Sequence, residues 1–286
     1  MNLKTLAAVY PQYLLPHHAL SLLMSKLTHC EHPAWKDWLI NTVIRLYNVD
    51  MAEAKYPDPK HYASFNAFFT RELKDGARPI CRAAESIACP ADGVVSQAGR
   101  IQDGRIFQAK GHSYTALELL GGDARRAEAF VDGSFATIYL SPRDYHRLHM
   151  PLAGTLTEMV HVPGRLFSVN HATVSSVPNL FARNERVVCV FDTEVGPMAL
   201  ILVGAIFVSS VETVWHGVVT PPSSAKPRVW QYATDAPRLE KGAEMGRFNM
   251  GSTVIVLFGA DKTTWNADLT AGRPLRLGEN IGRTNG

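Results

Sequence analysis

The sequence is poor in cysteine and carries little net charge. It contains four cysteines, Cys30, Cys81, Cys89 and Cys189. None of them forms a Cys-x-x-Cys pair or a zinc-site spacing, so we expect reduced thiols in a cytoplasmic environment and no disulfide framework. The net charge is only +3 at pH 7, and no cluster of lysine and arginine alternates with aromatic residues. The composition therefore argues against a nucleic-acid-binding protein.

The sequence also lacks a hydrophobic run long enough to cross a membrane. Residues 5–25 contain no Asp, Glu, Lys or Arg, but two prolines and two adjacent histidines interrupt them. A spanning helix needs about 20 predominantly apolar residues, and no clear small-residue site for signal-peptide cleavage follows the run. The leucines of this segment, with Trp35 and Trp38 after them, predict a monotopic segment buried in the lipid-headgroup boundary. A helical hairpin packed on the protein core is the alternative.

What is present suits a folded protein with a sizeable core. The chain has 286 residues, of which 46% are hydrophobic and 19% are charged, and this is enough for one large domain with or without a helical appendage. Residues 1–75 are predicted to be helical, with interruptions at prolines. A helix is predicted from Trp35 to Tyr47, where apolar residues recur near the helical period. Ser64 is predicted to cap a short helix beginning at Phe65.

The character of the sequence changes after residue 75. Short apolar segments rich in β-branched residues follow one another, separated by Gly, Pro, Asn and Asp, which is typical of strands and turns. The clearest predicted strands cover residues 93–95, 135–140, 186–191, 199–203, 211–214 and 253–258. One helix, Thr115 to Leu120, is predicted to interrupt them, and residues 220–227 are predicted to be an exposed loop. The sequence therefore predicts an α+β fold, with a helical N-terminal region (1–75) packed on a mostly antiparallel β core (76–286).

Three segments carry an acid, two imidazoles and a hydroxyl. Asp92 lies in Pro-Ala-Asp-Gly, His146 and His149 form a His-x-x-His pair, and Ser252 precedes the last long predicted strand. Taken singly, each has an ordinary explanation: a turn residue, structural histidines and a residue at the entry to a strand. A metal site would need a third and a fourth ligand at a recognisable spacing, so no metal is predicted. Taken together, these residue types are the parts of a base-activated nucleophile.

The sequences around these residues resemble the phosphatidylserine decarboxylases, a family of pyruvoyl-dependent membrane enzymes. Residues 250–253 match the family signature Leu-Gly-Ser-Thr except for Met250, whose volume is close to that of Leu. Further stretches similar to the bacterial members cover residues 65–73, 162–170, 178–187 and 242–248. Ser209 stands where the family usually carries Gly, and its side chain could narrow the pocket if that Gly allows a close approach of the backbone.

The resemblance implies a proenzyme that cleaves itself between Gly251 and Ser252. His149 would remove the proton of Ser252, and Asp92 would orient His149 and stabilise its charged form. Ser252 would then attack the carbonyl carbon of Gly251. The resulting ester would undergo β-elimination, and hydrolysis would convert the remaining dehydroalanine into a covalent pyruvoyl group. The pyruvoyl cofactor is therefore expected to be made from Ser252 itself.

The two products of this cleavage would be a β chain of residues 1–251 and a pyruvoyl-capped α chain of residues 252–286. The family uses the pyruvoyl group to convert phosphatidylserine to phosphatidylethanolamine in phospholipid biosynthesis, because its ketone forms a Schiff base with the substrate amine and accepts the electron pair left by CO2. The substrate Cα then needs a proton. His146 is the candidate donor, because one helical or turn segment could present it together with His149.

The resemblance also implies where the protein acts. Its partners would be phosphatidylserine and a membrane surface, with peripheral attachment at the cytoplasmic face of the cell (inner) membrane. Residues 1–47 contain four Lys or Arg and two Asp or Glu, an excess that favours an anionic leaflet. The two cleavage products would form a heterodimer, and the family suggests a dimer of such heterodimers. Arg183 and Arg186 could contact the lipid phosphate, with a solvated turn as the alternative.

Two other functions fit parts of this pattern. A serine hydrolase could use Asp92, His149 and Ser252 on an external ester, but the Gly-x-Ser-x-Gly elbow is missing around Ser252. A membrane-docked β scaffold could carry the same three residues in its turns. A hydrolase would remain a single chain near 31.5 kDa on a denaturing gel, whereas a self-processing decarboxylase would release a small C-terminal fragment. A scaffold would show no carbonyl reactivity and no CO2 release.

Overall fold

The computed structural model describes residues 9–206, 210–221, 224–250 and 253–285. Its helices are α1 (His17–Thr28), α2 (Pro33–Tyr47), α3 (Phe65–Phe69), α4 (Ala116–Leu119), α5 (Ala124–Glu128), α6 (His171–Val174) and α7 (Leu180–Arg183), with 3-10 turns at Tyr10–Tyr13 and Pro59–His61. Its strands are β1 (Ser86–Ala88), β2 (Gly93–Arg100), β3 (Arg105–Ala109), β4 (His112–Thr115), β5 (Ser134–Tyr139), β6 (Arg147–His149), β7 (Gly154–Val162), β8 (Arg186–Thr193), β9 (Gly196–Val203), β10 (Val211–Thr213), β11 (Gly217–Thr220), β12 (Arg228–Gln231), β13 (Arg238–Leu239), β14 (Glu244–Phe248), β15 (Thr253–Phe258), β16 (Thr263–Trp265), β17 (Pro274–Leu275) and β18 (Asn280–Thr284).

Two of the N-terminal helices, α2 and α3, have residues at their ends that favour a helix terminus. α2 has Pro33 in its first turn, where a missing N–H is tolerated. Its last residue, Tyr47, is followed by the C-cap Asn48, which has a left-handed φ of +54°. α3 is capped by Ser64, whose side chain accepts a hydrogen bond from Ala67 N. The helix predicted over residues 35–47 and the predicted cap at Ser64 are therefore confirmed.

A large antiparallel sheet forms the centre of the fold. Its strand order is β12-β7-β8-β9-β15-β5-β2-β17, and β13 also pairs with β7. β15 pairs along its whole length with β5 on one side and with β9 on the other, and all six of its residues are buried. Because neither face of β15 meets solvent, its sequence can be apolar without alternation.

Two hydrophobic clusters cover the two faces of this sheet. One cluster contains Val254, Val256 and Phe258 of β15 together with side chains from the small sheets β11-β10-β14-β6 and β1-β18-β16. The other contains Ile255 and Leu257 together with side chains from α4 to α7 and the β3-β4 hairpin. The large sheet is therefore the middle of three layers, and β15 contributes alternate residues to both interfaces.

The N-terminal region is attached to this core by polar contacts. Ser168 N donates to Gln12 Oε1 at 2.8 Å, and Leu166 N donates to His17 Nδ1 at 3.0 Å. α2 and α3 share a separate apolar cluster. Within the described ranges, no helix is long and apolar enough to cross a membrane. The observed fold is a mixture of helices and mostly antiparallel sheets, as the sequence predicted.

The sequence predicted the strands better than the short helices. The six predicted strands are confirmed as β2, β5, β8, β9, β10 and β15, and the helix predicted over residues 115–120 is α4, which Thr115 caps. The prediction of a single helix among the strands is wrong, because α5, α6 and α7 also occur there. Each has four or five residues, too few to show a periodic pattern. The loop predicted at 220–227 lies partly outside the described residues, and its residues 225–227 are exposed.

Candidate active site

Asp92 is held by a buried ion pair. It lies in the bend before β2, where Arg78 Nε donates to its Oδ1 at 2.8 Å and Arg78 Nη2 donates to its Oδ2 at 2.6 Å. Leu277 N also donates to Oδ1, at 2.8 Å. Arg78 Nη2 contacts Glu53 Oε2 at 2.7 Å as well. This bidentate pairing fixes the position and orientation of the Asp92 carboxylate.

His149 is oriented by a backbone carbonyl. It is the last residue of β6, which pairs with β14. Its Nδ1 lies 2.8 Å from Gly242 O, and because a carbonyl oxygen only accepts, Nδ1 is the donor. Nε2 then carries the lone pair and accepts a hydrogen bond from the Tyr145 hydroxyl at 3.3 Å. The ring is therefore in a tautomer whose Nε2 can act as a base.

The surroundings of His149 keep its ring neutral near pH 7. Burial is the largest effect and lowers the pKa of His149 below its ordinary value of 6.5. The hydrogen bond to Gly242 and the charges of Glu244 and Asp92 oppose this shift, whereas the charge of Arg147 reinforces it. A neutral imidazole can accept the proton of a hydroxyl group, which an imidazolium cannot do.

Asp92 and His149 lie on adjoining segments without a direct hydrogen bond. His149 N donates to Pro90 O at 2.9 Å, which joins the end of β6 to the segment containing Asp92. In the described part of the chain, however, the Asp92 carboxylate is bonded to the partners named above, and His149 Nδ1 is bonded to Gly242 O. In this structure the Gly242 carbonyl, and not the Asp92 carboxylate, orients the His149 ring, and the charge of Asp92 contributes only a small rise to the pKa of His149.

His146 is enclosed in the core beside α3. It is fully buried, and its ring stacks on Phe69 with the ring centroids 4.0 Å apart. Nε2 donates to Ser141 O at 3.1 Å, whereas Nδ1 has no hydrogen-bond partner among the residues that the structure describes. Burial, reinforced by the charge of Arg71, lowers the pKa of His146 to about 3, so its ring is neutral.

The His-x-x-His segment does not form the predicted helix or turn. Residues Arg147–His149 form β6 because they pair with β14. His146 lies immediately before this strand and contacts Phe69 of α3, whereas His149 contacts Gly242. The helical or turn conformation predicted for this segment is therefore wrong for residues 147–149.

Gly251, Ser252 and Ser209 lie outside the described residues, and the described chain resumes at Thr253 after the predicted cleavage site. Thr253 begins β15 and pairs with Tyr139 at the end of β5. Tyr139 also pairs with β2, the strand that follows the Asp-containing bend. The start of β15 is therefore one strand away from the start of β2, which directly follows Asp92, and β5 lies between them.

The chain that leads up to residue 251 is bonded to the histidine segment. Phe248 N donates to His146 O at 3.0 Å, and Asn66 Nδ2 of α3 donates to Asn249 Oδ1 at 3.1 Å. Met250 packs against the apolar cluster of α2 and α3 and has a φ of +114°. A positive φ is rare for a residue with a side chain, so the backbone has an unusual conformation immediately before the predicted cleavage site.

The two arginines considered as phosphate ligands have other partners. Arg186 is buried, and its guanidinium donates to the carbonyl oxygens of Glu118, Leu119, Ala182 and Asn184. Arg183 lies over the Phe167 ring, 5.1 Å from its centroid. Arg186 therefore joins α4 and α7 to the sheet, and both alternatives predicted for it are wrong.

Three partners of the site were not found from the sequence. Arg78 and Tyr145 lie close to the motifs but belong to no recognisable pattern, and the contribution of Gly242 is a backbone oxygen, which any residue type provides. In the described ranges, no group of three or more His, Cys, Asp or Glu residues is arranged to hold a metal ion.

Known proteins match this chain along almost its whole length. A family model described as phosphatidylserine decarboxylase matches residues 65–283, and a second, described as PSD, matches residues 7–48. The phosphatidylserine decarboxylase proenzyme of Pseudomonas aeruginosa (strain LESB58) is 59% identical over 281 residues, covering 98% of this chain and 97% of the relative. The proenzyme of the same name from Methylococcus capsulatus is 58% identical over 271 residues, covering 95% and 94%.

Replacing Arg78 would leave the Asp92 carboxylate buried without its cation. We expect Arg78→Met to lower the free energy of unfolding, measured by urea denaturation, by about 3–5 kcal/mol, as for other buried pairs that lose one partner. Arg100→Met is the control, because Arg100 pairs with Asp261 at 3.0 Å and both side chains are exposed, so the loss should stay below about 1 kcal/mol. Adding Asp92→Asn to Arg78→Met should recover part of the loss. Equally small losses in both single variants would show that the buried pair does not stabilise this bend.

Proposed function

The chain belongs to the phosphatidylserine decarboxylase family, and we propose that Ser252, His149 and Asp92 carry out the self-processing of this proenzyme. The enzyme is a pyruvoyl-dependent decarboxylase that converts phosphatidylserine to phosphatidylethanolamine, and its cofactor is the covalent pyruvoyl group. Ser252 is the proposed source of that group, His149 the proposed base, and Asp92 the charge that stabilises the protonated base.

The observation that carries this proposal is the convergence of distant segments on one place. β15 begins beside β5, and the start of β2, which follows the bend containing Asp92, lies on the other side of β5. The hydrogen bond from His149 N to Pro90 O brings β6 to the same bend. The hydrogen bond from Phe248 N to His146 O connects the chain before residue 251 to the histidine segment. This arrangement supports an acid, an imidazole and a hydroxyl acting together.

The cleavage step uses the unprotonated Nε2 of His149. It removes the hydroxyl proton of Ser252 while Oγ attacks the carbonyl carbon of Gly251, and the proton passes to the departing amide nitrogen. The peptide bond is thereby replaced by an ester. Loss of the Ser252 α-proton then breaks the Cβ–Oγ bond, which releases Gly251 as a carboxylate and leaves dehydroalanine. Water converts the dehydroalanine to the pyruvoyl group and ammonia.

Thr253, the residue that follows position 252, could donate a hydrogen bond to a small carbonyl group. Thr253 is fully buried, and its hydroxyl has no hydrogen-bond partner within the described residues, so a polar group beside it would find a donor. When present, the pyruvoyl carbonyl supplies the sink for the electron pair left by CO2. The buried strands around Thr253 contribute by keeping water away from the reacting atoms.

We assign the return of a proton to the substrate Cα to His146. In the protein without substrate, burial keeps this ring neutral, with Nδ1 unpaired among the described residues. An anionic substrate nearby favours the protonated ring, because an opposite charge stabilises the charged form. The donor form would then appear only after the substrate has bound.

The two cleavage products remain together because their strands belong to one sheet. β15 lies in the proposed α chain, whereas its neighbours β5 and β9 both lie in the proposed β chain. Cutting the chain before β15 leaves these hydrogen bonds and the buried apolar contacts intact. This arrangement supports a stable heterodimer of the two products. The family also suggests a dimer of such heterodimers, which stays a prediction.

Ser252→Ala removes the nucleophile and the source of the cofactor together. We expect the purified variant to remain a single chain of 31.5 kDa and to release no CO2 from phosphatidylserine vesicles. Ser134→Ala is the matched control, because Ser134 pairs with Phe258 at the other end of β15, and this variant should be cut normally. A small fragment released from the Ser252→Ala chain would contradict the proposal.

Substituting His146 should separate the two reactions, because self-cleavage uses His149. We expect His146→Phe, which keeps a flat ring against Phe69, to give both fragments on a denaturing gel while phosphatidylethanolamine forms about 10²–10⁴ times more slowly. His149→Ala should instead leave mostly uncut chain. Unchanged turnover in the cut His146→Phe enzyme would make His146 a structural residue, and an uncut chain would place it in the processing step.

We further propose that the helical N-terminal region attaches the enzyme to the lipid surface that supplies its substrate. Large apolar side chains of α1, α2 and the turn before them are exposed, namely Leu14, Leu22, Leu23, Leu27, Trp38 and Leu46. The contacts of Gln12 and His17 with the core hold this region in place. Such a surface suits peripheral binding at the cytoplasmic face of the inner membrane, with the apolar side chains in the headgroup boundary.

Removing two of these exposed side chains should weaken membrane binding without changing the active site. Trp38 is 58% exposed and Leu46 is 71% exposed, so we expect Trp38→Ser combined with Leu46→Ser to fold and cleave normally. The fraction that floats with phosphatidylserine vesicles should fall. The control combines Val214→Ser and Val218→Ser, which change similarly exposed positions around the β10-β11 hairpin. Equal flotation of the two double variants would show that membrane binding lies elsewhere.

A further inference from the structure

A cavity of about 520 Å³ lies beside Asp92. Its walls come from the segments that follow α2 and α3 and from the loop that leads into β6. Asn48, which caps the end of α2, is among its lining residues. Leu46, two residues earlier, belongs to the exposed apolar surface. The cavity therefore adjoins the end of a helix that carries part of the exposed apolar surface.

Arg71 lines this cavity, and two nitrogens of its guanidinium have no hydrogen-bond partner within the described residues. The residue is only 4% exposed. Its Nη2 donates to Arg143 O at 3.1 Å, but Nε and Nη1 form no hydrogen bond within the described residues. Two other arginines of the cavity are engaged by a carboxylate, because Arg78 and Arg276 both contact Glu53. Arg71 differs from them in having buried N–H groups available for a ligand.

The carboxylates around Arg71 are engaged elsewhere. The Asp92 carboxylate is bonded to Arg78, and Asp144 Oδ2 accepts hydrogen bonds from Ser141 N and Oγ at 2.6 and 2.7 Å. Burial lowers the pKa of Arg71, and the charges of Asp92 and Asp144 oppose this only in part. A buried guanidinium without a bonded anion is unfavourable, so an anionic ligand would gain affinity by completing its hydrogen bonds.

The substrate of the proposed function carries two anionic groups, a carboxylate and a phosphodiester. The carboxylate leaves as neutral CO2, so a cation bound to it would stabilise the ground state more than the transition state and slow the reaction. The phosphodiester keeps its charge throughout the reaction. A cation bound to it therefore stabilises the bound substrate and the transition state equally. The phosphodiester is therefore the better partner for Arg71.

We propose that Arg71 binds the phosphodiester of the phospholipid head group in the cavity beside Asp92. This assignment rests on the proposed function, because it requires phosphatidylserine as the substrate. It also gives a reason for the proton transfer assigned to His146. The charge of Arg71 helps to keep the His146 ring neutral, and a phosphodiester on Arg71 would cancel that charge and favour the protonated ring.

The test measures kinetics of Arg71→Gln and Arg71→Lys with short-chain phosphatidylserine. We expect both variants to cleave themselves. KM should rise about 10- to 100-fold in Arg71→Gln, the usual contribution of charge-assisted hydrogen bonds, with kcat nearly unchanged. Arg71→Lys, which keeps the charge, should show a smaller rise. Inhibition by short-chain phosphatidylethanolamine should weaken by the same factor as KM rises, because the product retains the phosphodiester and lacks the carboxylate. Arg100→Gln, on an exposed arginine, is the control and should match the unchanged enzyme.

Each other outcome overturns the assignment. Unchanged KM and unchanged product inhibition in Arg71→Gln would show that Arg71 does not contact the substrate. A raised KM with unchanged product inhibition would place Arg71 on the carboxylate instead. Uncut chain in both variants would place it in the processing machinery. Absence of phosphatidylethanolamine formation by the unchanged, cleaved enzyme would count against the proposed function itself, independently of Arg71.

Discussion

The location of the candidate site depends on the pairing of β15 with β5 and β9. Hydrogen bonds on both sides, and burial on both faces, fix the start of this strand against Tyr139. A slip of one residue would exchange the side chains that β15 gives to the two hydrophobic clusters, so the register is strongly specified. The same pairing sets Thr253, the residue that follows Ser252 in the sequence, one strand away from β2, which follows Asp92. It would also keep a cleaved C-terminal chain in the sheet.

The site combines a fixed charge with two neutral imidazoles. Asp92 is held by Arg78, His149 is oriented by the Gly242 carbonyl, and burial keeps His149 and His146 unprotonated. A neutral ring suits the removal of a hydroxyl proton, whereas proton donation needs the charged ring. The two rings have different contacts, His146 with Phe69 and His149 with Gly242, so each can serve a different reaction. In our account the anionic substrate supplies the charge that converts His146 from acceptor to donor.

Local sequence patterns predicted the helix over residues 35–47, the Ser64 cap and the β-rich region, because periodicity, capping and β-branched composition act over a few residues. The family resemblance indicated Asp92, His149 and Ser252 before any geometry was known. The pairing of Asp92 with Arg78 and the hydrogen bond from His149 to Gly242 could not be predicted, since partners that meet through tertiary packing leave no local pattern. The strand conformation of β6 was missed for the same reason, because it results from pairing with β14.

The central claim is that this chain converts Ser252 into the group that decarboxylates the lipid. Intact mass spectrometry of the purified, denatured protein tests it most directly. Our account predicts two chains, residues 1–251 and residues 252–286, and the smaller should carry a ketone and no free amino terminus at position 252. Treatment with a carbonyl reagent should modify the smaller chain and abolish CO2 release from phosphatidylserine. A single unmodified chain of 31.5 kDa that still releases CO2 would contradict the account.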